Sequence, residues 1–269
     1  MKARVDPKYA VPQAHSHEVN RVELLERLEA NEKSLVLVVA PAGYGKSTLI
    51  AQFARATSRA AAWVNLSTEE SEALLLGRSI AQAVYTVLPN AALGHWERAA
   101  SLDASTEQLA VGLAADLNLL SDDLILVLET LEHLSEESGR WLAAFLQRLG
   151  EGHQVVTSFW DWNEGVMVDF SRFVADGRAL VINQDDLAFS LAETEKLFIQ
   201  ADSGRDAQAV WKAVEGWPAA LGMILHGAPL SGTPQDLIRG ILRNLPEATR
   251  TALPEAAVRT TGSEAESAR

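Results

Sequence analysis

Five short runs of the chain are dominated by apolar residues: SLVLVVA (Ser34–Ala40), AAAWVNLS (Ala60–Ser67), DLILVLET (Asp123–Thr130), HQVVTSF (His153–Phe159) and RALVINQ (Arg178–Gln184). The first is apolar almost throughout, the pattern of a parallel strand covered on both faces by helices. Stretches with helical spacing lie between the runs. VNRVELLERLEAN places Val22, Leu24, Leu25 and Leu28 on one face, and KSTLIAQFARAT, SEALLLGRSIAQAVYTVL, TEQLAVGLAADLNLL and RWLAAFLQRLG follow. Strands alternating with helices predict a parallel sheet with helices on both sides, an α/β architecture.

Near Leu187 the texture changes. SLAETEKLFIQ, DAQAVWKAVEG and PAALGMILHG are short helical segments with no strand between them, and Ser190 with Glu193 matches a capping box at a helix start. A small helical lid is expected here. APLSGTP reads as a linker, DLIRGILRNLPEATRTALPEAAV as two more helices, and RTTGSEAESAR as a polar tail.

The junction between the first strand and its helix carries the strongest chemical signal. APAGYGKST combines glycines that free the backbone, a lysine, and hydroxyls at the start of a helix. Gly43 and Gly45 permit conformations a Cβ would forbid, so successive N–H groups can converge on phosphate oxygens. The helix N-terminus adds a positive dipole end. Lys46 is suited to the β- and γ-phosphates and Ser47 to Mg²⁺. The candidate loop residues are Pro41, Ala42, Gly43, Tyr44, Gly45, Lys46, Ser47 and Thr48, with Ala40 standing where the full pattern has its first glycine. A turn that merely joins strand to helix is the competing reading, and the Lys-Ser that follows argues against it.

Hydrolysis needs a metal-holding carboxylate and a group that orients the attacking oxygen. Glu129, at the end of LILVLE, is the candidate for the metal and for a base; the next residue, Thr130, cannot take up a proton at neutral pH. Glu132 is a second candidate base, set against the reading of a solvated loop carboxylate. His133 has a structural role as its alternative. Glu69 and Glu70 read as acids at a helix N-terminus. Thr157 and Ser158 are candidate γ-phosphate sensors, but Phe159 follows them and offers no cation.

Composition narrows the partners. A net charge of −13, with no Lys/Arg run, argues against direct binding of nucleic acid by this chain. The absence of cysteine removes thiolate metal sites and Cys nucleophiles. The first twenty residues contain no apolar core of a signal peptide, and no run reaches the length that spans a bilayer, so a cytoplasmic protein is expected. His15 and His17 have a metal-compatible spacing without a third ligand nearby, which favours an exposed arm. His226 reads as a surface or packing residue, with a phosphate contact as the alternative. FWDW (Phe159–Trp162) reads as packing at the sheet edge, with a docking patch as its alternative.

Taken in order, these pieces resemble the STAND class of P-loop ATPases, the NB-ARC-like nucleotide-binding part of MalT-like and AfsR-like (LuxR-type) bacterial transcriptional regulators. APAGYGKSTLIAQFA matches Walker A, AWVNLS the second strand, LVLETLEHL Walker B, and VVTSF the sensor strand. LAFSLAETEKLF matches the start of the lid, VEGWPAALGMI the Gly-x-Pro segment and VNRVELLERL the Val-x-Arg entry motif. The resemblance implies a five-stranded AAA-like sheet in order 5-1-4-3-2 over residues 1–185, a lid over 186–229, and the start of a winged-helix segment with a tail over 230–269. It also implies that Val19 and Arg21 flank an adenine, Lys46 and Ser47 hold phosphates and metal, and Pro218 closes over the base. The cofactors would be ATP or ADP with Mg²⁺, ADP acting as a lock, and a protein partner or self-association would accompany ATP. Two departures, Glu129-Thr130 in place of paired Asp and Phe159 in place of a sensor Arg, point to slow or absent hydrolysis. A competent ATPase or small-molecule kinase and a degenerate docking scaffold are the alternatives.

Overall fold

The computed structural model describes residues 6–226, apart from 16, 17, 103, 161, 163–167 and 169. Helix α1 (Val22–Glu29) leads into β1 (Leu35–Val39), and the glycine-rich turn hands the chain to α2 (Lys46–Ala56). Next come β2 (Ala60–Asn65), α3 (Ala73–Val87), α4 (Gly94–Ser101), α5 (Thr106–Leu117) and β3 (Leu124–Glu129). After α6 (Glu136–Arg148) follow β4 (Gln154–Phe159), α7 (Ser171–Ala175), β5 (Ala179–Ile182) and α8 (Gln184–Leu187). The lid consists of α9 (Leu191–Gln200), α10 (Ala207–Val214) and α11 (Pro218–Leu225).

All strand pairs are parallel and the order is β2-β3-β4-β1-β5, the expected order read from the other edge. The apolar runs have the double-sided burial that such a sheet demands. Leu35, Leu37 and Val39 of β1 enter one core with α3, α5 and α6, while Val36 and Val38 enter the other with α1 and α2. In β3, Leu124, Leu126 and Leu128 face the first core and Ile125 and Val127 the second. Both faces must be apolar because helices cover both, and the strands therefore lack polar alternation.

Helix α4 (GHWERAAS) is not among the helical segments expected from the sequence. It is made by tertiary contacts: the buried Asp116 carboxylate on α5 accepts the N–H groups of His95 and Trp96 at 3.2 and 2.8 Å. The Trp96 ring then lies on Gly77, where a Cβ would sit 2.4 Å from its Cη2. The expected capping box at Ser190 and Glu193 is formed in both directions. A second box, Ser67 with Glu70, confirms the acidic helix-start reading there.

The lid has a small core of its own, Leu197, Phe198, Val210, Leu221 and Ile224, and Val19 from the N-terminal arm belongs to it. The boundary expected at 185 falls within α8. The winged-helix segment and tail expected at 230–269 lie outside the described residues, as does His17. Phe159 is buried between Phe170 and Trp162, and Trp162 is 49% exposed, so the aromatic cluster is packed at one end and open at the other. Among the described residues no helix is long and apolar enough to cross a membrane.

Candidate functional site

Gly43 and Gly45 both have left-handed backbones, φ 83° and 81°. That pair of positive φ values curls the chain between β1 and α2, and only glycine adopts them without strain. Among the described residues no backbone carbonyl accepts from the N–H groups of Gly43 to Ser47; the first such bond into α2 is from Leu49 N–H to Gly45 O at 2.9 Å. Unpaired donors at an open turn followed by a helix start form an anion cradle. Ala40 is buried and tolerated at the loop's first position.

Lys46 is buried and its Nζ donates to the carbonyls of Ala40 and Pro41 at 2.6 and 3.2 Å. Burial depresses its pKa, while the nearby carboxylates of Glu132 and Glu129 pull the other way. An anion arriving in the cradle would favour the charged ammonium, replacing two neutral acceptors with a charged one.

Glu129 stands at the tip of β3 beside the loop. Burial pushes its carboxyl above the ordinary value, and hydrogen bonds from Ser47 and Ser158, with the Lys46 charge, oppose that shift. The Ser158 hydroxyl donates to Glu129 Oε1 at 2.9 Å, whereas Thr157 is turned away and bonds to Leu128 O at 2.7 Å. A hydroxyl already paired with a carboxylate at a helix start is the donor set that fits Mg²⁺ beside a phosphate. Among the described residues no group of three or more His, Asp or Glu could hold a metal ion by itself.

Thr130 sits at φ 68°, a left-handed conformation that costs a β-branched residue about 1–2 kcal/mol. The strained turn swings Glu132 back toward Lys46, and Glu132 Oε1 is buried without a hydrogen-bond partner. Glu132 is therefore half-buried rather than a freely solvated loop carboxylate, while His133 is exposed.

A cavity of about 650 Å³ opens beside the loop, within the range of small-molecule sites. Tyr44, Gly45, Thr48, Leu49 and Gln52 line it from the loop and α2, and Val19 and Arg21 from the arm. Phe189, Leu197, Pro218 and His226 line it from the lid side, so the structure brings Val19, Arg21 and Pro218 to the same space as the loop.

Arg21 also does something its motif did not announce. Its guanidinium donates to the carbonyls of Leu187 and Asp186 at 2.7 and 2.9 Å, pairs with Glu193 at 2.7 Å, and lies 4.8 Å above the Phe189 ring. The planar fork thus ties arm to lid.

Residues that sequence reasoning missed complete the site. Trp217 stacks on Tyr44 with centroids 6.3 Å apart, and Ala219 N–H donates to Gly43 O at 3.0 Å. Gly216, at φ 73°, leads into this contact and packs so closely on Phe189 that a Cβ would fall 2.2 Å from its carbonyl oxygen. The Gly-Trp-Pro sequence was the only available signal. Gln52 is the other, and nothing in its helical position set it apart.

A parallel sheet in this order, with a glycine-rich loop between β1 and α2 and a carboxylate at the tip of β3, defines a P-loop ATPase domain. The chain matches the AAA ATPase domain family over residues 16–157, more than half its length, and belongs to that family. It is 27% identical over 235 residues to the serine/threonine-protein kinase PknK of Mycobacterium tuberculosis, covering 83% of this chain and 21% of that protein. It is also 27% identical over 240 residues to the HTH-type transcriptional regulator MalT of Klebsiella pneumoniae, covering 83% of this chain and 25% of that one. The chain thus spans about a fifth to a quarter of these relatives.

Among solved structures, a STAND protein with a tetratricopeptide repeat sensor from Pyrococcus horikoshii shares the fold. It has a TM-score of 0.56 at 16% identity, covering 85% of this chain and 33% of that one. A Walker-type ATPase of Pyrococcus abyssi aligns with a TM-score of 0.51 at 12% identity, covering 84% and 71%. The STAND-class resemblance drawn from the motifs agrees with these relatives. The P-loop ATPase fold carries with it nucleotide and, as a rule, Mg²⁺.

Proposed function

We propose that this chain is the ATP/ADP-binding switch module of a STAND-type signalling or transcriptional regulator, hydrolysing ATP slowly or not at all. The observation that carries the reading is the row of N–H groups at Gly43–Ser47 with no backbone acceptor among the described residues, opening beside a cavity whose other wall belongs to the lid. In this reading those amides and Lys46 hold the β- and γ-phosphates. Ser47 and, through water, Glu129 hold Mg²⁺, which when bound neutralises phosphate charge. Val19, Arg21 and Pro218 enclose the adenine, and Ser158 senses the γ-phosphate through its bond to Glu129. Because arm and lid share one small core and one cavity, the nucleotide that fills the space decides how the lid sits.

Slow chemistry follows from what stands around the loop. Thr130 is no base, Phe159 is buried in the aromatic core, and the Glu129 carboxyl is biased toward its neutral form by burial. The test is to quantify nucleotide released on denaturation of purified protein, wild type against Lys46→Ala. The wild type should carry ADP and the variant little, and equal amounts from both would overturn the site. Steady-state phosphate release should be slow. Rapid turnover abolished by Glu129→Gln would instead make the protein a competent ATPase. ATP-dependent self-association and a place in transcription regulation, as for the MalT-like relatives, belong to the same proposal.

A further inference from the structure

Gln52 lies on α2, the helix that begins at the phosphate loop, seven residues beyond Gly45 and so about 10 Å farther along the axis. Its side chain is buried, and its amide is turned to the main chain of the arm. The amide nitrogen donates to Val19 O at 2.8 Å, and the amide oxygen accepts from Arg21 N–H at 3.2 Å. Those two main-chain groups flank Asn20 on one side of the arm. A peptide group in a parallel ladder bonds its neighbour in the same way, to the residues on either side of one position. Gln52 therefore stands in for a strand, and it grips an arm that carries no strand partner of its own.

Val19, Arg21 and Gln52 all line the 650 Å³ cavity that also reaches Tyr44 and Gly45 of the loop. With the Val19 carbonyl taken by Gln52, the Val19 N–H is left without an acceptor among the described residues. A backbone donor held in a fixed register beside a cavity lined by Leu49, Phe189, Leu197 and Pro218 suits an acceptor nitrogen on the edge of a heteroaromatic base. A leucine of similar size would fill the same volume and leave both arm groups unheld.

We infer that Gln52 is the positioning residue for base recognition: the helix that presents the phosphate loop also fixes, through this one amide, the main chain that meets the base. The inference rests on the nucleotide-binding reading and adds a division of labour within it. Affinity from the phosphates comes through the loop alone, and affinity from the base depends on Gln52.

The experiment compares binding of ADP and of inorganic pyrophosphate to wild type, Gln52→Leu and Gln52→Glu by calorimetry. Gln52→Leu should weaken ADP by roughly 5- to 150-fold, the range for two neutral hydrogen bonds, and leave pyrophosphate within about twofold. Gln52→Glu, which keeps an acceptor for Arg21 N–H but sets an oxygen against the Val19 carbonyl, should show the same split. It provides the test should the leucine variant fold poorly. Equal weakening of both ligands, or no weakening of ADP, overturns the inference while leaving the nucleotide site intact. A wild type that binds neither ligand overturns the nucleotide reading, and the inference falls with it.

Discussion

Replacing Gly43 with alanine strikes the contact between loop and lid at its closest point. The residue sits at φ 83°, where a side chain costs about 1–2 kcal/mol. The new Cβ would lie 2.7 Å from the Ala219 Cβ and 2.9 Å from the Trp217 indole nitrogen, well inside the roughly 3.5–4.0 Å optimum for carbon pairs. Ala219 Cβ is attached directly to the backbone of α11 and cannot swing away, so loop and helix must separate. What holds them together is modest. The Ala219–Gly43 backbone bond contributes about 0.5–1.5 kcal/mol, and the Tyr44–Trp217 stack a similar amount. The overlap therefore exceeds the attraction, and the latch opens. Losing about 1–3 kcal/mol of closing free energy should speed hydrogen exchange at the Ala219 amide by roughly 5- to 150-fold in ligand-free protein. Gly43→Ala combined with Ala219→Gly removes the shortest overlap and should recover part of the protection. Unchanged exchange at Ala219 in the single variant would refute the reasoning, because the lid would then owe its position to something other than this contact.

Two further predictions concern the arm. Lys8 reaches Glu70 at 2.6 Å and strapping is completed by Asn65, whose amide donates to Pro7 O at 3.2 Å. Burial opposes both charges, but the pairing outweighs it, raising Lys8 above its usual 10.5 and, together with Ser79 and Ser67, lowering Glu70 below its usual 4.5. The Glu70 contribution is thus complete above its ordinary value and lost as pH falls through the lowered one. That of Lys8 is complete below its ordinary value and lost as pH rises through the raised one. Lys8→Met should cost about 1.5–3 kcal/mol near neutrality, the range for hydrogen bonds to charged groups, and reduce the dependence at both ends, as read by urea midpoints across pH. Arg21→Ala should cost about 1.5–3 kcal/mol, because a half-buried carboxylate and two carbonyls lose their buried donor. Arg21→Lys should fail to restore it, since one ammonium cannot span the fork's acceptors, and limited proteolysis between α8 and α9 would report the loosened lid.

Much of the framework was legible because parallel strands must be apolar on both faces. Each of the five runs became a strand, within a few residues of its expected bounds. The glycines of the loop were equally plain, since positive φ on two alternate residues leaves few other choices. Helix α4 was not legible, because its N-terminus is capped by a carboxylate from α5 and no local pattern records that debt.

What the sequence alone determined was the inventory: an α/β sheet, a glycine-rich loop at Gly43–Ser47, a carboxylate at Glu129, and a helical segment opened by a capping box. These follow from interactions within a few residues, whose spacing the chain itself displays. Tertiary structure decided which groups share a space. It turned Arg21 toward the lid, set Gln52 against the arm, laid Trp217 on the loop and left one oxygen of Glu132 buried without a partner. Each of these is a contact between positions distant in sequence. Such contacts depend on how helices pack across a finished sheet, and that packing has no period along the chain.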